Sequence, residues 1–132
     1  MHIVILGCGR VGSYVARLYA EEGHQVTVID KTSAAFKRLG PGFRGNLVVG
    51  TGIDEDVLRR AGIEKAEVFM ALTNGDNTNV MAAQVARNIF AVRRVICRVY
   101  DPLREEIYRH LGLETICPTV LGADRIREIL AS

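Results

Sequence analysis

Gly7-Cys8-Gly9-Arg10-Val11-Gly12 is a G-x-G-x-x-G string that directly follows an apolar run, Ile3 to Leu6, and directly precedes an amphipathic helical pattern. That context gives the string its chemistry. The first glycine permits a tight turn, the second lets backbone amides approach a pyrophosphate, and the third lets helix and strand pack closely. A helix N-terminus at this point adds unpaired N–H groups and partial positive charge for phosphate oxygens. Asp30 closes the next apolar run, twenty-one residues after Gly9. A carboxylate there accepts hydrogen bonds from adenosine ribose hydroxyls and repels a 2′-phosphate, so NAD is favoured over NADP.

Each residue also has a plainer reading. Without a ligand the glycines make a bare strand-to-helix turn, and Asp30 caps a helix starting near Ser33. Arg10 either reaches a terminal or bridging phosphate or is a solvated first-turn side chain. Cys8 lies between glycines with no partner in view and reads as packing.

These residues need a scaffold, and the sequence supplies one. Short β-branched runs recur along the chain: Ile3 to Leu6, Val26 to Ile29, Leu47 to Val49, Val68 to Leu72, Val95 to Val99 and Thr115 to Cys117. Helical patterns separate them. They are marked by Val11, Val15, Leu18 and Tyr19; by Ala35, Phe36 and Leu39; by Val57, Leu58 and Ala61; and by Val80, Ala83, Val85, Ala86 and Ile89. Pro102 opens a fifth helix that carries Ile107 and Leu111 before Gly112, and Pro118 precedes a last one with Ala123, Ile126, Ile129 and Leu130. Strands apolar on nearly every residue are covered on both faces, and strict alternation with helices makes parallel pairing the default. The expected fold is a single α/β Rossmann domain over residues 1–132, a doubly wound parallel sheet of about six strands in the order 3-2-1-4-5-6. Its ligand cleft lies at the carboxyl ends of strands one and four.

Composition narrows the function. The 132 residues carry 17 Lys and Arg against 15 Asp and Glu, scattered in both signs, which gives no nucleic-acid footprint. No apolar stretch is long enough to span a bilayer, so direct membrane insertion is not expected. Residues 1–6 read as a first strand rather than a signal peptide, and three cysteines without C-x-x-C spacing fit a reducing cytoplasm. His2, His24 and His110 have no metal-ligand spacing. No Tyr-x-x-x-Lys, Gly-x-Ser-x-Gly or P-loop is present, and no His/Asp/Cys cluster. Binding without turnover is the economical expectation, and a small NAD-dependent oxidoreductase, or the cofactor domain of one, is the alternative.

Beyond the glycine string, several segments match a known family: Glu22-Gly23-His24-Gln25-Val26, Val28-Ile29-Asp30-Lys31, Ala61-Gly62-Ile63, Ala71-Leu72-Thr73, Asp76 with Asn79, Cys97-Arg98-Val99, Asp101-Pro102 and Cys117-Pro118. The chain resembles the N-terminal nucleotide-binding (RCK, KTN or TrkA-N) domain of the regulators of potassium conductance, cytosolic gating subunits of Trk and Ktr potassium-uptake systems. The resemblance implies that Gly7, Gly9, Arg10, Gly12 and Asp30 hold an adenine nucleotide, NAD(H) or ADP/ATP. Lys31 and Thr32 would flank the ribose, and Thr73 would border the cleft. Arg98 would approach phosphates near a dimer interface, or else pair with Asp101. Cys8, Val11, Thr51, Gly52 and Asn74 complete the candidate set, with no catalytic or metal-binding residue.

Two departures stand out. Gly50-Thr51-Gly52-Ile53 replaces the family's Gly-Asp-x-Thr string near the adenine, and Thr119 stands where some members carry a metal-binding acid. The resemblance further implies a homodimer, open to assembly into a ring, in which the last helix packs on a neighbour; the alternative is that this helix covers its own sheet edge. The assembly would sit in the cytoplasm against a membrane-embedded potassium transporter subunit and gate it. No second ligand-binding domain is expected within these residues.

Overall fold

The computed structural model describes residues 1–132. Six strands form one all-parallel sheet: β1 (His2–Leu6), β2 (Gln25–Asp30), β3 (Asn46–Val49), β4 (Val68–Ala71), β5 (Arg94–Arg98) and β6 (Glu114–Ile116). Their order is β3-β2-β1-β4-β5-β6, as expected for the Rossmann fold. The order reverses between β1 and β4, and a crevice opens there at the carboxyl ends of the strands.

The pleat divides the core in two. Ile3 and Ile5 point to one face, with Val26, Val28 and Met70, and are covered by helix α1 (Arg10–Glu21) and the segment Ser33–Leu39. Val4, Leu6 and Phe69 point to the other, under helices α2 (Glu55–Arg60) and α3 (Asp76–Asn88). Ile3, Val4, Ile5 and Phe69 have no solvent exposure, which is why β1 and β4 read as unbroken apolar runs.

Ser33–Leu39 departs from the expected α-helix. It is a 3-10 helix, closed by bonds such as Ala35 N–H to the Thr32 carbonyl at 3.0 Å. Seven residues between Thr32 and a left-handed Gly40 (φ 77°) leave little length for α-helical bonding to propagate.

Helix α4 (Pro102–His110) begins at Pro102 behind an Asp101 cap, as the proline predicts. Helix α5 (Pro118–Ala131) has no buried residue, and Leu121, Ile126, Ile129 and Leu130 are all exposed. It therefore does not bury its apolar side on its own sheet edge. No helix is long and apolar enough to cross a membrane.

Candidate nucleotide site

The glycine loop leaves β1 at Gly7, whose φ of 102° belongs to the left-handed region and whose N–H donates to the Ile29 carbonyl at 2.8 Å. A Cβ on Gly7 would stand 2.9 Å from the Thr73 backbone nitrogen, so the loop runs hard against the end of β4. A Cβ on Gly12 would lie 1.8 Å from the Gly7 carbonyl oxygen. Both glycines are demanded by the protein itself. Gly9 is different: a Cβ there meets no atom within 4 Å, and its backbone is extended. Gly9 is also the N-cap of α1, with no side chain capping the first turn and no acid within it. The leading N–H groups of the helix are thus left for an external acceptor.

Asp30 is bound into this loop. Its Oδ2 accepts the Cys8 N–H at 2.8 Å and its Oδ1 accepts the Thr32 N–H at 2.9 Å. The carboxylate pins the loop to the end of β2 and shapes the turn beyond, while each oxygen keeps a lone pair for a further donor. It does not cap the 3-10 helix, whose N-cap is Thr32 without a side-chain bond. Cys8 is fully buried beneath the loop, and burial first, then the Asp30 charge, push its thiol above the usual range, with Arg38 opposing. A protonated, buried thiol is packing, not a nucleophile.

A cleft of about 890 Å³ opens at this end of the sheet. Gly7, Cys8, Gly9, Arg10, Asp30, Lys31, Thr32, Thr51, Gly52, Thr73, Asn74 and Arg98 all line it. The side chain of Val11 packs half-buried against the core and Gly12 lies behind the loop, facing Gly7, so these two residues turn only their backbone N–H groups, in the first turn of α1, toward an acceptor. Gly52 owes its place to packing too, since a Cβ would fall 2.2 Å from the Leu6 side chain.

Arg98 makes no ion pair with Asp101, which instead caps α4 by accepting the Leu103 N–H at 3.0 Å. The Arg98 guanidinium carbon sits 4.2 Å from the centre of the Tyr100 ring, and its Nε is buried without a hydrogen-bond partner. A buried, unpaired donor in the wall of a cleft costs on the order of 1–3 kcal/mol. Thr119 donates its hydroxyl to the Tyr100 carbonyl at 3.1 Å.

Sequence reasoning gave no role to Asn79, Tyr100 or Arg38. Asn79 has no solvent exposure, and all four of its hydrogen-bonding positions are used. Its Oδ1 accepts from the Thr73 N–H and hydroxyl, at 2.9 and 2.6 Å, and its Nδ2 donates to the carbonyls of Thr73 and Arg98, at 2.9 and 3.0 Å. One buried amide thereby locks the ends of β4 and β5 beside the cleft. A signal was present: Asn79 shares a helix face with Ala82, Ala83 and Ala86, where a polar residue is out of place unless it is fully bonded. Tyr100 and Arg38 line the cleft by tertiary placement alone.

A parallel doubly wound sheet with a glycine loop, a helix N-terminus and an acid at its switch point defines a Rossmann-type nucleotide-binding domain. The sequence matches the TrkA-N domain family over residues 3–118, and the chain belongs to that family. It is 50% identical to the Trk system potassium uptake protein TrkA of Streptomyces coelicolor over 133 aligned residues, covering all of this chain and 60% of that one. Among solved structures it resembles the TrkA-N domain of the inner membrane protein ybaL from Escherichia coli, with a TM-score of 0.84, 20% identity, and coverage of 98% of this chain and 96% of that one. The Shewanella denitrificans Kef C-terminal domain in its AMP-bound form gives a TM-score of 0.82 at 19% identity, covering 96% and 77%. The GsuK channel bound to NAD gives 0.72 at 22% identity, covering 89% and 21%.

Proposed function

We propose that this chain is the nucleotide-sensing domain of a regulatory subunit in a potassium-uptake system. The observation that carries it is Gly9: no atom of the protein requires a glycine there, whereas a phosphate seated on the free amides of α1 would. The ligand is an adenine nucleotide, NAD(H) or ADP/ATP, with its phosphates over Gly9 and Arg10 and its ribose hydroxyls on Asp30. Asp30 disfavours the 2′-phosphate of NADP. The AMP and NAD held by the two related folds support this choice. Arg98 and Arg10 are the groups that distinguish one phosphate or nicotinamide state from another.

The domain binds and does not turn over its ligand. It acts as a homodimer, extended into a ring, through the exposed apolar side of α5, at the cytoplasmic side of a membrane-embedded potassium transporter subunit. Unequal affinity of the nucleotide for two arrangements of paired domains supplies the work of gating. Calorimetric titration with NAD, NADH, ADP, ATP and cyclic nucleotides is the direct test. Saturable binding of at least one, weakened in Asp30→Ala, is expected; no binding, or an unchanged affinity in the variant, refutes the site. Oxidation of NADH by the protein with added carbonyl compounds would restore the oxidoreductase alternative.

A further inference from the structure

Tyr100 stands at a junction that ligand binding alone does not explain. Its ring lines the cleft, with the Arg98 guanidinium stacked 4.2 Å above it. Its backbone is gripped from two other directions. The Tyr100 N–H donates to Asp76 Oδ1 at 2.8 Å, and Asp76, whose side chain is only 10% exposed, also accepts the Asp101 N–H at 3.3 Å. The Tyr100 carbonyl accepts the Thr119 hydroxyl at 3.1 Å and the Cys117 thiol at 3.4 Å. Cys117 is the N-cap of α5, and Thr119 is its second residue. One residue thus meets the cleft with its ring and the root of α5 with its carbonyl.

Beyond that root, little within the same chain holds α5: every residue from Thr119 to Ser132 is exposed on its own subunit. Its direction is set where the chain leaves β6, at Cys117, at Pro118 with its fixed φ, and at the Thr119 bond. Fourteen helical residues make a lever roughly 21 Å long, so a tilt of about 5° at the root moves the tip by roughly 2 Å. The other end of the relay is equally sensitive. An arginine stacked on an aromatic ring gains less than one bonded to a phosphate, so an anion in the cleft draws the Arg98 guanidinium from the Tyr100 face.

We propose that Tyr100 is the positioning residue that carries nucleotide occupancy to α5, with the Arg98 stack as its input and the Thr119 hydroxyl as its output, a role that rests on the nucleotide site proposed above. The test pairs calorimetry with hydrogen exchange of the amides in residues 119–131. It uses the wild type, Thr119→Val, Thr119→Ser and Tyr100→Phe, each with and without ADP, ATP and NADH. Bound nucleotide should change exchange in the wild-type helix by about fivefold or more, the lower end of ordinary site-to-site coupling. Thr119 lies on the surface and outside the cleft, so Thr119→Val should bind nucleotide within about twofold of the wild type while its helix response disappears. Thr119→Ser keeps the hydroxyl and Tyr100→Phe keeps the ring and backbone contacts, so both should respond as the wild type does. A Thr119→Val helix that still responds fully, or a wild-type helix indifferent to a nucleotide that calorimetry shows to be bound, overturns the relay alone. A wild type that binds no nucleotide removes the site, and the relay with it.

Discussion

Substituting alanine at two glycines of one loop should separate what the fold needs from what the ligand needs. At Gly12 the added methyl would stand 1.8 Å from the Gly7 carbonyl oxygen, whereas real Cβ atoms essentially never approach backbone closer than 3.0 Å. Helix α1 or the loop must then withdraw by about 1.2 Å, with loss of the packing that buries Ala16 and Cys8, and overpacking of this kind costs roughly 1–3 kcal/mol or somewhat more. At Gly9 the methyl meets nothing within 4 Å, and the extended backbone suits any residue. Gly9→Ala should therefore keep its stability within about 0.5 kcal/mol of the parent. Its methyl would, however, project into the space assigned to the pyrophosphate and weaken ADP or NAD binding by at least about tenfold, or 1.4 kcal/mol. Urea denaturation and calorimetry on both variants make the comparison. If Gly9→Ala binds as the wild type does, phosphates do not sit on this loop. If Gly12→Ala unfolds at the parental urea concentration, the close approach of helix and loop is wrong.

Further outcomes follow from other contacts. Asp30→Ala removes the acceptor of both the Cys8 and Thr32 N–H groups, and should lower nucleotide affinity by about 1–3 kcal/mol in calorimetry while modestly lowering the urea midpoint. Asn79→Leu strands the donors and acceptors of Thr73 and Arg98 in a fully buried position; a loss of about 2–4 kcal/mol in denaturation is expected, and a loss under about 1 kcal/mol would show that the clamp is dispensable. Cys97, held protonated by burial and secondarily by Asp76, has its pKa pushed up to about 12 from 9.0. Because the folded state raises it, its stabilisation is full below pH 9 and lost as pH climbs from 9 toward 12, so Cys97→Ala should show a shallower fall in stability across that window than the parent. In sedimentation, Ile126→Glu should convert a dimer to a monomer, and identical profiles for the two proteins would remove α5 from the interface.

The sequence by itself determined the sheet and the loop. β1 from Ile3 onward and all of β4 are apolar because both faces are covered, and strict alternation with helices leaves few topologies beyond the one found. The turn at Gly7 and Gly12 and the place of Asp30 beside it were legible because a glycine-rich strand-to-helix turn sets its requirements at fixed local spacing. The 3-10 form of Ser33–Leu39 was not, since local pattern does not distinguish a seven-residue α-helix from its tighter relative. Tertiary structure alone decided which side chains of the loop face the cleft, packing that of Val11 against the core and bringing Gly12 against Gly7. It also decided that Arg98 stacks on Tyr100 rather than pairing with Asp101, and that Asn79 reaches the Arg98 carbonyl nineteen residues along the chain. Periodicity reports which side of an element is buried, but not which distant polar groups meet there. Those meetings depend on how strand ends align across the sheet, and only the folded chain fixes that alignment.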